Sequence, residues 1–266
     1  MFNNNSTSPP PHERLYFFRD IYYNSDIKYH NINKGFTLAE VLMTLGIVGV
    51  VAALTLPSLI QNYQEKANIV KLKKNYSIMQ QAYAMAIQEN GTADNWNIKA
   101  DSYNENENIL YYLKPYLNKI KYCGTQNNCW EANRYNLNKT VAEPIGRYMM
   151  FSKAILSDGS IIAVRLNGIE FFDDIHRWAD YVIDLNGEKG PNVYGKDVFC
   201  FYFTQNKIIP FGGHNQPYDF DSGWCSSKIA KNSVGCAAWV LQNENMDYLH
   251  CNDLSWTEKK SCKTNK

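Results

Sequence analysis

Hydrophobic and polar positions divide this chain into three regimes. From Phe36 to Ile60 apolar residues dominate, with Gly46, Gly49 and Pro57 among them; Glu40 is the one charged side chain, and the next carboxylate is Glu65. At about 1.5 Å per helical residue this stretch measures close to the ~30 Å hydrocarbon thickness of a bilayer. Beyond it Ile69, Leu72, Tyr76, Met79, Tyr83 and Ala86 alternate spacings of three and four, the mark of one apolar stripe on a helix. Lys66, Lys71, Lys73 and Lys74 fall on other faces and read as solvated. No loop signal separates the two parts, and Asn90-Gly91 is a good helix stop, so the pattern predicts a single helix over Leu38–Asn90, roughly 80 Å long. Pro57 removes one backbone hydrogen bond and loosens or kinks it.

The third regime changes period. After a polar stretch from Gly91 to Asn108, Ile109, Leu110, Leu113 and Leu117 predict a short helix disturbed by Pro115, and Lys121 to Pro144 reads as loop. Tyr148–Leu156, the turn Ser157-Asp158-Gly159-Ser160 and Ile161–Leu166 predict a tight hairpin. Ile169–Phe172, Trp178–Leu185 and Val198–Thr204 are further strands, Cys236–Gln242 is a last short helix, and 243–266 looks irregular. The expected class is α+β: a long N-terminal helix, membrane-spanning in its first half, packed by its second half against a small antiparallel sheet with disulfides.

Glu40 breaks the apolar run one turn inside it, where an unpaired carboxylate costs a few kcal/mol. A cut between Gly35 and Phe36 supplies a partner, because it frees an amine that is protonated below a pKa of ~8. Among parallel, staggered copies the Glu40 of one chain then meets the Phe36 ammonium of the next, and a costly charge sets the register between neighbours.

Lys34-Gly35-Phe36-Thr37-Leu38-Ala39-Glu40 followed by the apolar run resembles the processing and methylation site of type IV pilins and type II secretion pseudopilins. The resemblance implies cleavage after Gly35 by a prepilin peptidase, N-methylation of Phe36, a subunit-contact role for Glu40 and a helix-loosening one for Pro57. It implies a leader over 1–35, a transmembrane and amphipathic helix over 36–90 and an extracytoplasmic head over 91–266. The leader is longer than is usual in that family. The implied partners are other pilin or pseudopilin subunits, prepilin peptidase, an assembly-platform membrane protein and membrane lipid. The implied location is the inner or cytoplasmic membrane, then a filament in the periplasm or at the cell surface. Lys34 keeps a cation on the cytoplasmic side. A secretory signal peptide fits poorly, since its apolar core is 7–15 residues and ends in a small-residue cleavage site. A plain anchor explains the length but not Glu40 or the Gly-Phe junction.

Lys and Arg total 27 against 26 Asp and Glu, a balance that gives no support to nucleic acid as a partner. The 7 cysteines all follow the membrane segment, none in Cys-x-x-Cys spacing, which argues against zinc and thioredoxin-like chemistry. Their placement suits an oxidising compartment. Short loops suggest Cys123–Cys129, Cys225–Cys236 and Cys251–Cys262, with Cys200 left over, although sequence alone does not fix connectivity.

The most informative head segment is Asp184-Leu185-Asn186-Gly187-Glu188-Lys189-Gly190-Pro191-Asn192, with Gly195-Lys196-Asp197 after it. Oxygen-bearing side chains at Asp184, Asn186 and Glu188 have the alternation of a calcium loop. The EF-hand glycine and acidic positions are instead Lys189 and Gly195, so the template fails, and a strand connection in which Asp184 and Asn186 bond backbone amides is the favoured reading. Some pseudopilins bind calcium in the head through a differently written loop. Asp173-Asp174-Ile175-His176 reads as surface, Gly212-Gly213-His214-Asn215 as a connection rather than a phosphate loop, and His250 as incidental. No catalytic set can be argued, and the expectation is a structural subunit rather than an enzyme. The alternative is a membrane-anchored minor pilin whose head binds a ligand such as DNA, a secreted substrate or a surface.

Overall fold

The computed structural model describes residues 35–99, 107–117, 121–125, 129–142, 151–172, 175–229 and 232–262, with backbone alone over 167–172 and 175–178. Leader residues 1–34, the start of the Tyr148–Leu156 strand and the Asp173-Asp174 pair lie outside the described residues, as does the His176 side chain.

Helix α1 spans Leu38–Asn90, carrying Pro57 within it. Contacts divide the chain into two units, Met1–Val51 and Ala52–Lys266. The described part of the first is the helix start and its apolar run. Leu38, Leu42, Met43, Leu45, Val48 and Val50 each show more than half of their surface. It is the one described helix long and apolar enough to cross a membrane.

In the second unit a short helix α2, Ile109–Leu113, is followed by strands β1 (Lys121–Gly124), β2 (Arg134–Tyr135), β3 (Val141–Ala142), β4 (Ser152–Ile155), β5 (Ile161–Phe172), β6 (Ile175–Asp184), β7 (Val198–Phe203) and β8 (Ile208–Pro210), then helix α3, Ala237–Asn243. Six strands form an antiparallel sheet in the order β1-β4-β5-β6-β7-β8, while β2 and β3 pair separately. From β4 onward it is a meander, because the connections are short enough to join antiparallel neighbours.

The alternation along β7 shows why the sheet is buried on both sides. Phe199, Phe201 and Phe203 join Leu72, Met79 and Tyr83 of α1 in one core, while Val198, Cys200 and Tyr202 face a second with Trp130, Val182 and Phe211. Each such side chain contributes about 2 kcal/mol by leaving water. Tyr83 packs edge-on to Phe203 at 5.0 Å and its hydroxyl donates to the Thr204 carbonyl at 2.8 Å. Gln80 closes the outer edge of the sheet: its Nε2 donates to Ile208 O at 2.6 Å and its Oε1 accepts Ile208 N at 3.1 Å.

Several expectations need correction. Lys121–Gly124 is a strand and not loop; its four residues show no alternation, and a partner in β4 recruits them. The two segments expected at 161–166 and 169–172 are one strand with a register shift between Leu166 and Glu170. The second helix is disturbed at Pro115 as expected, the chain tightening there into a 3₁₀ turn over Lys114–Tyr116. Lys71 is not a solvated lysine, for its ammonium donates to the carbonyls of Asp158 (3.1 Å) and Leu185, beside Asn75, which donates to Asp158 Oδ2 at 3.2 Å. Lys73 and Lys74 do stay exposed, in ion pairs with Glu244 and Asp158.

Candidate functional site

The helix start is built by three reciprocal bonds. Thr37 is the N-cap: its N–H and Oγ1–H both donate to Glu40 Oε2 at 2.9 Å, and Glu40 N–H donates to Thr37 Oγ1 at 3.2 Å. This is a capping box, Thr-x-x-Glu, which satisfies backbone donors that an α-helix leaves unpaired at its N-terminus. Sequence reasoning placed Glu40 as a contact for a neighbouring chain and missed the local role. The signal was present, since a threonine three residues ahead of a glutamate at the edge of an apolar run is a capping pattern. Both bonds to the carboxylate use Oε2, and among the described residues none uses Oε1. Gly35 precedes the helix with open space around it, and Pro57 sits inside the helix.

The head carries a second polar cluster at the connection from β6 to β7. Asp184 ends β6 fully buried and its Oδ1 accepts Asn186 N–H at 3.2 Å. Asp197, just before β7, is also buried; its Oδ2 accepts Asn186 Nδ2 and Asn192 N–H, both at 3.0 Å, and its Oδ1 accepts Val193 N–H at 2.5 Å. Gly187 turns the chain at φ +69°, and a Cβ there would stand 2.7 Å from the Gly159 carbonyl, so neither the turn nor the packing admits a side chain. Burial, helped by the charge of Asp197, pushes Asp184 up to about 7, and burial also raises Asp197. Of the three residues proposed from spacing, Asp184 and Asn186 share this network, while Glu188 is directed away and accepts Glu131 N–H at 3.1 Å. Asn192 and Asp197 were not singled out because no fixed-spacing template includes them.

Cys123 and Cys129, Cys225 and Cys236, and Cys251 and Cys262 stand at disulfide distance, with Cα separations of 6.0, 5.0 and 5.7 Å. Cys200 is buried on β7 and takes part in none of these bridges. His250 is not incidental: its Nε2 lies 3.0 and 3.1 Å from the two oxygens of Glu65, 185 residues earlier. His214, Asp219 and Asp221 gather in one loop, yet both acids already hold backbone amides, those of Asn215 and Asp221 on Asp219 and that of Trp256 on Asp221. Among the described residues of the second unit, Arg134 and Lys153 are buried cations: the Arg134 guanidinium stacks 3.8 Å over Trp130 with no hydrogen bond to a described residue, and Lys153 donates to Thr125 O at 3.3 Å.

Residues 30–56 match the prokaryotic N-terminal methylation motif, so the helix start is a type IV pilin-like prepilin motif. Residues 58–252 match the model described as Family of unknown function (DUF6613). The chain belongs to that family. No curated protein and no solved structure matches it. This DUF6613 member is thus a type IV pilin-like precursor, and the motif with its long apolar helix fits a membrane-anchored precursor of an extracytoplasmic filament that assembles with other pilin subunits after peptidase processing.

Proposed function

We propose that this DUF6613 protein is a structural pilus or pseudopilus subunit, cut after Gly35, methylated on Phe36 and assembled through α1, rather than an enzyme. The observation that supports it most is the pairing of an exposed apolar helix with one carboxylate that has an oxygen to spare. Leu42, Leu45, Val48, Leu54 and Leu59 each expose half or more of their surface, an area that only lipid or sister helices can cover. In lipid the charge of Glu40 is costly. In a fibre Oε1 accepts from the Phe36 ammonium of the adjacent copy, while Oε2 keeps the cap on its own helix. Pro57 loosens the helix at the point where the subunit leaves the bilayer, and the head stays on the extracytoplasmic side.

The test is the N-terminus of the mature product. Intact-mass and peptide mass spectrometry of membranes and sheared filaments should find a chain beginning at N-methyl-Phe36, and Gly35→Leu should leave the full-length precursor. A mature chain beginning at another residue contradicts the reading.

A further inference from the structure

We propose that the second core of the head binds one chloride ion, held by the Arg134 guanidinium and the Trp130 indole N–H beside the positive charge of Lys153. The observation behind it is a cluster of buried groups that can only donate. Arg134 and Trp130 are fully buried, and among the described residues no acceptor meets Arg134 Nε, Nη1 and Nη2 or Trp130 Nε1. Neither side chain carries an acceptor of its own, so no turned-over amide or change of tautomer satisfies them. The guanidinium lies 3.8 Å from the Trp130 ring, which brings the two sets of donors together. Lys153 is fully buried as well, and its ammonium has three hydrogens for one acceptor, Thr125 O at 3.3 Å.

Charge strengthens the case. A buried amine escapes its cost by releasing a proton, and Lys153 is part-way there: burial, and then the Arg134 charge, pull it down to about 8. A guanidinium has no such escape, because it keeps its proton throughout the range in which proteins fold. Burial lowers Arg134 against the pull of Tyr194, Asp184, Cys200 and Glu188 around it. Of the two acids in that set, Glu188 accepts Glu131 N–H and Asp184 accepts Asn186 N–H. Burial also pushes Asp184 up to about 7, so half of its charge is absent near neutral pH. Among the described residues no carboxylate forms an ion pair with Arg134 or Lys153. A buried cation without a counter-charge is among the costliest things a fold can hold, and an anion removes the cost.

The site has a structural task. Arg134 lies on β2, which pairs only with β3, whereas Lys153 belongs to β4 of the main sheet. An anion between them ties the small sheet down over the second core, where two positive charges otherwise push it away. Arg134 is packed against an aromatic ring and shut from solvent, which suits a monatomic ion over a tetrahedral one with four oxygens to seat. Ordered water is the rival occupant. Water accepts hydrogen bonds but brings no charge, so it leaves the repulsion between Arg134 and Lys153 in place. The inference stands whether or not the chain assembles into a fibre.

The experiment uses the full chain in detergent at pH 7.5, dialysed into potassium gluconate, whose anion is too large to enter. Chloride, bromide or sulfate is titrated in at constant ionic strength, so that screening is held fixed, and melting is read by circular dichroism. A saturable rise of about 5 °C by 100 mM chloride, matched by bromide and not by sulfate, is expected. Trp130→Phe keeps a ring under the guanidinium and removes one donor, and its chloride midpoint should rise about threefold or more. Arg134→Met removes the charge in a side chain of similar reach, and its melting should be the same in chloride and in gluconate. Equal melting of the wild type in chloride and gluconate overturns the proposal in favour of water. So does a rise that sulfate reproduces, a chloride response kept by Arg134→Met, or an unchanged midpoint in Trp130→Phe.

Discussion

Glu40 has two tasks at one carboxylate, and substitutions at Thr37 and Glu40 separate them. Glu40→Gln keeps an oxygen for the Thr37 N–H and hydroxyl, the two donors at 2.9 Å, because glutamine serves a capping box as well as glutamate does. It removes the charge. Thr37→Ala does the reverse, losing the hydroxyl that bonds both Glu40 N–H and Oε2 while leaving the carboxylate in place. The cap contributes about 1 kcal/mol to the helix start. The charge is worth more. A carboxylate near the end of an apolar span costs about 2 kcal/mol, less than the central value, and pairing with a neighbour's ammonium removes that cost. At 1.4 kcal/mol per decade, Glu40→Gln should weaken subunit addition about 30-fold per contact, while Thr37→Ala should lower it only several-fold. Both should be cut after Gly35 and retained in the membrane. The assay compares sheared-filament and membrane fractions by quantitative immunoblot in cells making equal precursor. Wild-type filament yield from Glu40→Gln would refute the reasoning, and so would an equal loss from Thr37→Ala, which would reduce Glu40 to a helix cap.

Two predictions concern the head. Burial, and secondarily the Arg134 charge, pull Lys153 down to about 8 from its ordinary 10.5, so the folded chain takes its proton less readily than the unfolded one. Stability from this group is therefore complete above about 10.5 and is lost as pH falls towards 8, a difference of about 3 kcal/mol at 1.36 kcal/mol per unit. Lys153→Met should raise the melting temperature at pH 7.5 by roughly 3–10 °C and lose that advantage by pH 10.5; an advantage that does not narrow with pH contradicts the assignment. At Gly212 the backbone sits at φ +96°, and a Cβ would lie 1.9 Å from the Gly235 carbonyl oxygen. Gly212→Ala therefore strains the turn, pushes against the Gly235 carbonyl and disturbs Gly212's own carbonyl, which accepts Phe220 N–H and Trp256 Nε1–H; it should cost about 3 kcal/mol or more, a fall of roughly 6–12 °C by differential scanning fluorimetry, where a fall under about 2 °C would count against it.

The elements best legible in the sequence are those whose cause is local. The apolar run, the stripe from Ile69 to Ala86 and the Asn90-Gly91 stop specify α1, because a helix satisfies its own backbone and shows its period within a few turns. Val198–Phe203 was legible for a related reason: a short, wholly apolar run suits a strand covered on both faces, and all six of its residues are buried. The prepilin signature belongs with these, being a contiguous run of residues.

What tertiary structure decided is everything that needs a partner distant in sequence. Lys121–Gly124 became a strand because β4 offered an edge, and Lys71 left the solvent because the Asp158 turn and the end of β6 presented carbonyls to it. Glu65 and His250 meet only after the whole head has folded between them. The loop after β6 shows the division most clearly. Its residues are contiguous, yet spacing pointed to Asp184, Asn186 and Glu188, since it counts side chains in order. The fold instead turned the chain at Gly187, sent Glu188 to Glu131, and aimed the Asn192 side chain at main-chain oxygens that have no letter in the sequence.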